Sequence, residues 1–128
     1  MSDSPLVLII DDEPAFLEIF SVKLTTAGFR VETAVNGPEG IGKAKALKPD
    51  LVLLDMQMPG MTGADVLSKL KEDPETTALK VVFLTNLGDP QPELQLQNER
   101  FSEEVGAAGY LKKAEDLDSL IDRIKLYL

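Results

Sequence analysis

Leu51-Val52-Leu53-Leu54-Asp55 is a run of four aliphatic residues closed by an acid. No polar residue alternates within it, so the strand it predicts is buried on both faces, as in a parallel sheet covered by helices on each side. Leu6-Val7-Leu8-Ile9-Ile10 repeats the pattern and runs into Asp11-Asp12. Two such strands side by side would deliver three carboxylates to the rim where open α/β sheets bind ligands. Anions that close repel one another by several kcal/mol unless a cation lies among them. Oxygen donors with no nitrogen or sulfur companion favour magnesium over zinc or copper.

Outward from these runs, helical and strand periods alternate. Pro14 to Ala27 reads as a helix with Phe16, Leu17, Phe20 and Leu24 on one face, closed by Gly28. Phe29 to Ala34 sets Phe29, Val31 and Thr33 against Arg30 and Glu32, which predicts a half-solvated strand at a sheet edge. Asn36-Gly37-Pro38 opens a helix to about Leu47, and Pro49-Asp50 turns into the strand Leu51 to Leu54. After the loop Met56 to Thr62, a helix from about Gly63 to Glu72 points Val66, Leu67 and Leu70 inward before Pro74 stops it. Lys80 to Leu84 is the next strand and ends in Thr85. Asn86 to Asn98, with Pro90 and Pro92, is polar, and a weaker helical segment follows to about Ala107. Gly109 to Lys112 is a short last strand, while Leu117, Leu120, Ile121, Ile124 and Leu128 share one face of a closing helix. Five strands alternating with five helices predict right-handed crossovers and a doubly wound, mainly parallel α/β sheet within one domain, residues 1–128.

At 128 residues, 44% apolar and 27% charged, the chain has the size and mixture of a globular domain. No apolar stretch approaches a membrane span, and Met1-Ser2-Asp3-Ser4-Pro5 lacks the basic-then-hydrophobic order of a secretory signal, so the expected location is cytoplasmic, away from any membrane. A formal charge of −9 argues against unaided contact with a nucleic-acid backbone. The chain contains no Cys and no His, which excludes disulfides, sulfur and imidazole metal sites, and Cys-His or Ser-His-Asp catalysis. Any nucleophile is therefore a carboxylate, a hydroxyl or an amine.

Ile9-Ile10-Asp11-Asp12-Glu13-Pro14, Leu53-Leu54-Asp55-Met56-Gln57-Met58-Pro59-Gly60-Met61-Thr62-Gly63, Phe83-Leu84-Thr85 and Gly109-Tyr110-Leu111-Lys112-Lys113 together resemble the motifs of bacterial response-regulator receiver domains. An acid after a strand is common, but these motifs in order, each in its structural slot, are a specific signal that covers essentially the whole chain. The resemblance implies a flavodoxin-like sheet of order 2-1-3-4-5, which seats the first and third strands side by side. It implies that Asp55 is a phosphoacceptor and that Mg2+ is held by Asp12 directly, by Asp11 largely through water, by Asp55 and by the backbone carbonyl of Gln57. It also implies that Lys113 pairs with one phosphoryl oxygen and the Thr85 hydroxyl meets another, while Tyr110 is an aromatic switch that rotates as Thr85 shifts. Lys113 takes this role ahead of Lys112 because the family's lysine lies three residues after the aromatic.

The residues alone leave other readings open. Asp11 and Asp12 could cap the following helix, Thr85 could simply end its strand, and Tyr110 could be an ordinary amphipathic strand tyrosine. Asp55 resists such a reading, since an acid after four buried aliphatics needs a compensating charge or hydrogen bonds. Pro59 is read as fixing the loop turn, and Gly63 as permitting close backbone approach at the helix start.

The implied function is a phosphorylation-controlled switch of a two-component phosphorelay. A histidine kinase or histidine phosphotransfer protein would donate the phosphoryl group to Asp55 with Mg2+. A downstream protein would read the last strand and its flanking helices, and a homodimer on phosphorylation is a further expectation. Catalysis would be confined to the protein's own phosphorylation and dephosphorylation, so no turnover enzyme is expected. The alternative is a degenerate receiver that binds or dimerises without phosphorylation. Three departures keep it open: Ala114 where the family has Pro, Asn86 where a smaller residue is usual, and extra length between Thr85 and Tyr110. The Lys113-Ala114 bond is expected to be trans, since a non-proline cis bond costs about 2.5–4 kcal/mol. Gln57 and Leu87 occupy positions that tune phosphoryl lifetime in the family, and Leu87 is expected to slow water attack as an apolar screen.

Overall fold

A computed structural model describes residues 4–85, 107–113 and 116–128 of the chain. Its strands β1 (Leu6–Ile10), β2 (Arg30–Ala34), β3 (Leu51–Asp55), β4 (Val81–Thr85) and β5 (Gly109–Lys112) form one parallel sheet in the order β2-β1-β3-β4-β5. The helices among the described residues are α1 (Pro14–Thr26), α2 (Gly37–Leu47), α3 (Gly63–Glu72) and α4 (Leu117–Tyr127). This is the doubly wound, flavodoxin-like arrangement expected from the sequence. The weak helical segment before Ala107, with Asn86 and Leu87, lies outside the described residues, as does Ala114 and its bond to Lys113.

Side chains alternate along each inner strand and so divide the core in two. Val7, Ile9, Leu51, Leu53, Val82, Leu84 and Leu111 pack with Leu17, Phe20 and Leu24 of α1 and Leu120, Ile121 and Ile124 of α4. On the other side Leu8, Ile10, Val52, Leu54, Val81 and Phe83 pack with Ala44 of α2 and Val66, Leu67 and Leu70 of α3. Each fully buried aliphatic contributes about 1.5–3 kcal/mol, so the uninterrupted apolar runs supply a large share of the stability. β2 lies at the edge, where Arg30 and Glu32 reach solvent as their alternation foretold.

Local chemistry fixes where the helices begin. Asn36 accepts a hydrogen bond from the Glu39 amide at 2.8 Å, and Thr62 with Asp65 forms a reciprocal capping box at 3.2 and 3.1 Å. Observed bounds differ from the sequence reading by about one residue. β2 starts at Arg30 and not Phe29, β4 at Val81 and not Lys80, and β3 includes Asp55 because the Met56 amide still donates to the Leu84 carbonyl, at 3.1 Å. Gly63 packs so tightly on the end of β3 that a Cβ there would fall 2.5 Å from the Asp55 carbonyl oxygen and 2.8 Å from Met56 Cα.

Candidate functional site

Sheet order puts β1 beside β3 with Ile10 opposite Leu54, so the acids that follow are neighbours. Carboxylate oxygens of Asp11, Asp12 and Asp55 lie within 4.8 Å of one another. Strand period decides which way they face. Asp11 continues the series Val7, Ile9; Asp55 continues Leu51, Leu53; and Lys113 continues from Leu111, all on the side covered by α1 and α4. The ladder carries this alignment past the strand ends, since the Asp11 amide donates to the Ala34 carbonyl at 3.0 Å and the Lys113 amide to the Thr85 carbonyl at 2.8 Å.

Lys113 extends into the acids, as the family resemblance implies for it ahead of Lys112. Its Nζ lies 2.5 Å from Asp11 Oδ2 and donates to Glu13 Oε1 at 2.8 Å and to Asp55 Oδ2 at 3.4 Å. The ammonium also sits 4.8 Å from the centre of the Phe16 ring, close enough for a cation–π contact. Gln57 contributes its amide, which donates to Asp55 Oδ1 at 3.1 Å and orients the carboxylate.

Burial dominates the electrostatics. Asp55 is 2% exposed, and its desolvation, reinforced by the charge of Asp11, pushes its carboxyl from 3.8 up to about 6 against the Gln57 amide and Lys113. Asp11 is likewise raised by burial, although the Lys113 ammonium and the Glu13 amide oppose the rise. Burial pulls Lys113 down, but bonds to Asp11 and Glu13 and the charges of Asp11 and Asp55 outweigh it, so the ammonium is raised on balance. One buried cation thus serves several carboxylates and leaves the cluster short of positive charge.

The capping alternative for Asp11 and Asp12 does not hold. Glu13 occupies the N-cap of α1 with no side-chain cap bond, while Asp11 Oδ1 accepts from the Glu13 amide at 2.9 Å and turns the chain toward Pro14. Asp11 Oδ2 is buried against the Lys113 ammonium, which it shares with Glu13 and Asp55. Three converging carboxylates with no nitrogen or sulfur ligand among them, beside a single ammonium, fit a hard divalent cation such as magnesium and are a poor match for zinc or copper.

Thr85 and Tyr110 lie elsewhere in the site. Thr85 ends β4, is buried, and by strand period falls with Phe83 on the α2–α3 side. Tyr110, opposite Phe83 in the ladder, is partly buried against the same core. Two further contributors carry no distinguishing mark in the sequence: Glu13 stands within a motif, and Phe16 falls on the apolar face of its helix. The available signal is their place at the N-cap and in the first turn of a helix that starts at the site.

A family model described as the response regulator receiver domain matches residues 7–125. PilH from Pseudomonas aeruginosa is 33% identical over 122 residues, which cover 95% of this chain and 96% of PilH. Sporulation initiation phosphotransferase F from Bacillus subtilis is 33% identical over 122 residues, 95% of this chain and 92% of that protein. The DNA-binding dual master transcriptional regulator RpaA from a Synechocystis species is 36% identical over 124 residues, 97% of this chain. The chain spans 49% of the length of RpaA and 26% of the response regulator PleD from Caulobacter vibrioides. Among solved structures, the chemotaxis response regulator CheY4 of Vibrio cholerae is similar with a TM-score of 0.84 at 28% identity, covering 98% of this chain and 100% of that one.

Proposed function

The chain belongs to the response regulator receiver family, and from that premise we propose that residues 1–128 form a phosphoacceptor switch of a two-component phosphorelay, with Asp55 as the residue phosphorylated. The observation that carries this is the buried Asp55 carboxylate, oriented by the Gln57 amide at Oδ1 and facing the Lys113 ammonium at Oδ2. A buried acid so arranged is a preorganised nucleophile, and at neutral pH a carboxyl near 6 is mostly ionised.

In the transfer, an Asp55 oxygen attacks the phosphorus of a phosphohistidine on a kinase or phosphotransfer protein. The O–P bond forms as the P–N bond breaks, and the electron pair leaves with the imidazole nitrogen. The donor histidine belongs to the partner, since this chain has none. Asp11, Asp12, Asp55 and the Gln57 carbonyl would hold a magnesium ion, which when bound supplies neutralisation of the phosphoryl oxygens. Lys113 moves part of its hydrogen bonding from carboxylates to a phosphoryl oxygen, and the Thr85 hydroxyl supplies a second contact. Those new contacts, made in only one state, are what bias Thr85 and Tyr110 toward an active arrangement read by a downstream protein at β5 and its flanking helices. Homodimerisation on phosphorylation belongs to the same proposal. A cytoplasmic location is part of the same proposal. No helix among the described residues is long and apolar enough to cross a membrane.

Incubation with acetyl phosphate and Mg2+, followed by intact-mass measurement, tests the assignment. One phosphoryl adduct is expected in the parent and none in Asp55→Asn. A parent that stays unmodified overturns the phosphoacceptor role and leaves an interaction module that works without phosphorylation.

A further inference from the structure

Glu13 reaches the phosphoacceptor site from the start of α1, and its contact there differs in kind from those of its neighbours. Its Oε1 accepts from Lys113 Nζ at 2.8 Å, closer than Asp55 Oδ2 at 3.4 Å. Yet the Glu13 side chain is 50% exposed, whereas Asp11 and Asp55 are buried. An ammonium has three N–H donors, and here they face three carboxylates, those of Asp11, Glu13 and Asp55.

We infer that Glu13 is a releasable tether for Lys113: it holds the ammonium toward α1 and gives it up when a phosphoryl group arrives on Asp55, so Glu13 sets how readily that group is accepted. This rests on Asp55 being the phosphoacceptor. For Lys113 to donate to a phosphoryl oxygen, one of its present partners has to lose a bond. Releasing Asp11 would strand a buried charge, which is costly, and Asp55 Oδ2, at 3.4 Å, holds the ammonium too weakly for its release alone to free Lys113 from α1. Releasing Glu13 is cheap, because water replaces the ammonium at an exposed carboxylate. Glu13 is also the N-cap residue of α1, where a freed negative charge remains favourable against the helix dipole. Phe16, 4.8 Å from the ammonium, limits how far Lys113 can withdraw while it changes partners. Glu13 is therefore a positioning residue that acts through Lys113. With the Glu13 carboxylate half in water, its hold on the ammonium is on the scale of an exposed ion pair and shifts an equilibrium by about two- to fivefold.

Beryllofluoride with Mg2+, a mimic of the phosphoryl group on a carboxylate, measures the effect without turnover. Its affinity would be read by fluorine NMR in the parent, Glu13→Gln, Glu13→Asp and Asp55→Asn, and in Glu13→Gln combined with Lys113→Ala. Glu13→Gln should bind about two- to fivefold tighter than the parent. Glu13→Asp keeps the charge but is one methylene too short to hold the lysine, so it should match Glu13→Gln. In the Lys113→Ala background the Glu13 substitution should change nothing; if that background binds no beryllofluoride, the Glu13→Asp comparison decides alone. A parent-like affinity for Glu13→Gln overturns the tether. So does a Glu13→Asp affinity equal to that of the parent, which would leave charge alone as the cause, or an effect that persists without Lys113. Failure of the parent to bind, or equal binding by Asp55→Asn, overturns the phosphoacceptor role itself and the tether with it.

Discussion

Replacing Asp55 with Asn should stabilise the metal-free protein at neutral pH, although it removes the residue on which the proposed function depends. Burial raises the Asp55 carboxyl from 3.8 to about 6, so its ionised form is disfavoured in the folded state by about 3 kcal/mol relative to the unfolded chain. The folded value lies above the unfolded one, so between them the native state binds more protons. The contribution of this group to stability is therefore fully present below about pH 4, falls as pH rises through about 6, and stays low above it. Asn cannot ionise, keeps an oxygen for the Gln57 amide, and gives up the attraction of Lys113, so the net gain is about 1–3 kcal/mol at neutral pH and close to zero near pH 4. Urea denaturation of both proteins in a chelator, across that pH range, measures the difference. Adding Mg2+ should stabilise the parent and narrow the gap, since a ligand that binds only the folded state stabilises it by mass action. A gap that is flat with pH, or an Asn variant no more stable than the parent at neutral pH, would refute the assignment of the raised carboxyl to burial.

Other changes probe the parts that hold the site in place. Gly63→Ala puts a methyl group against the Asp55 carbonyl and Met56 Cα, both backbone, so the end of β3 has to shift. We expect a loss of about 1–3 kcal/mol in urea denaturation together with slower acetyl phosphate labelling; parent-like stability would show that the contact relaxes freely. Thr76→Val removes a buried hydroxyl that donates to the Leu70 carbonyl at 2.6 Å near the end of α3, and should cost about 1–2 kcal/mol with labelling unchanged. A variant as stable as the parent would mean that solvent or a neighbour satisfies that carbonyl.

Much of this architecture is legible in the linear chain because double-sided burial leaves a plain trace. Leu6–Ile10, Leu51–Leu54 and Val81–Leu84 are apolar at every position, whereas β2 alternates, so the inner strands and one edge can be told apart before any contact is known. The acids that end β1 and β3 were legible for the same reason. Family spacing points to Lys113, and the geometry gives an independent cause: it shares a strand face with Leu111, and that face is the one toward which Asp11 and Asp55 point. What the sequence did not reveal depends on topology. Glu13 and Lys113 are separated by 100 positions, and only the meeting of β1 and β5 ends above one sheet makes them partners. Strand limits were missed by about one residue because a hydrogen bond such as Met56 to Leu84 leaves no signature in side-chain pattern.

The backbone bond from the Lys113 amide to the Thr85 carbonyl, 2.8 Å long, joins residues whose side chains belong to opposite sides of the sheet. Charge balance is handled beside α1 and α4, while Thr85 and Tyr110 are set toward α2 and α3. This peptide link is a rivet between the two compartments, fastening the end of β5 to the end of β4. Because main-chain atoms make it, reshaping either side chain leaves the fastening itself largely intact.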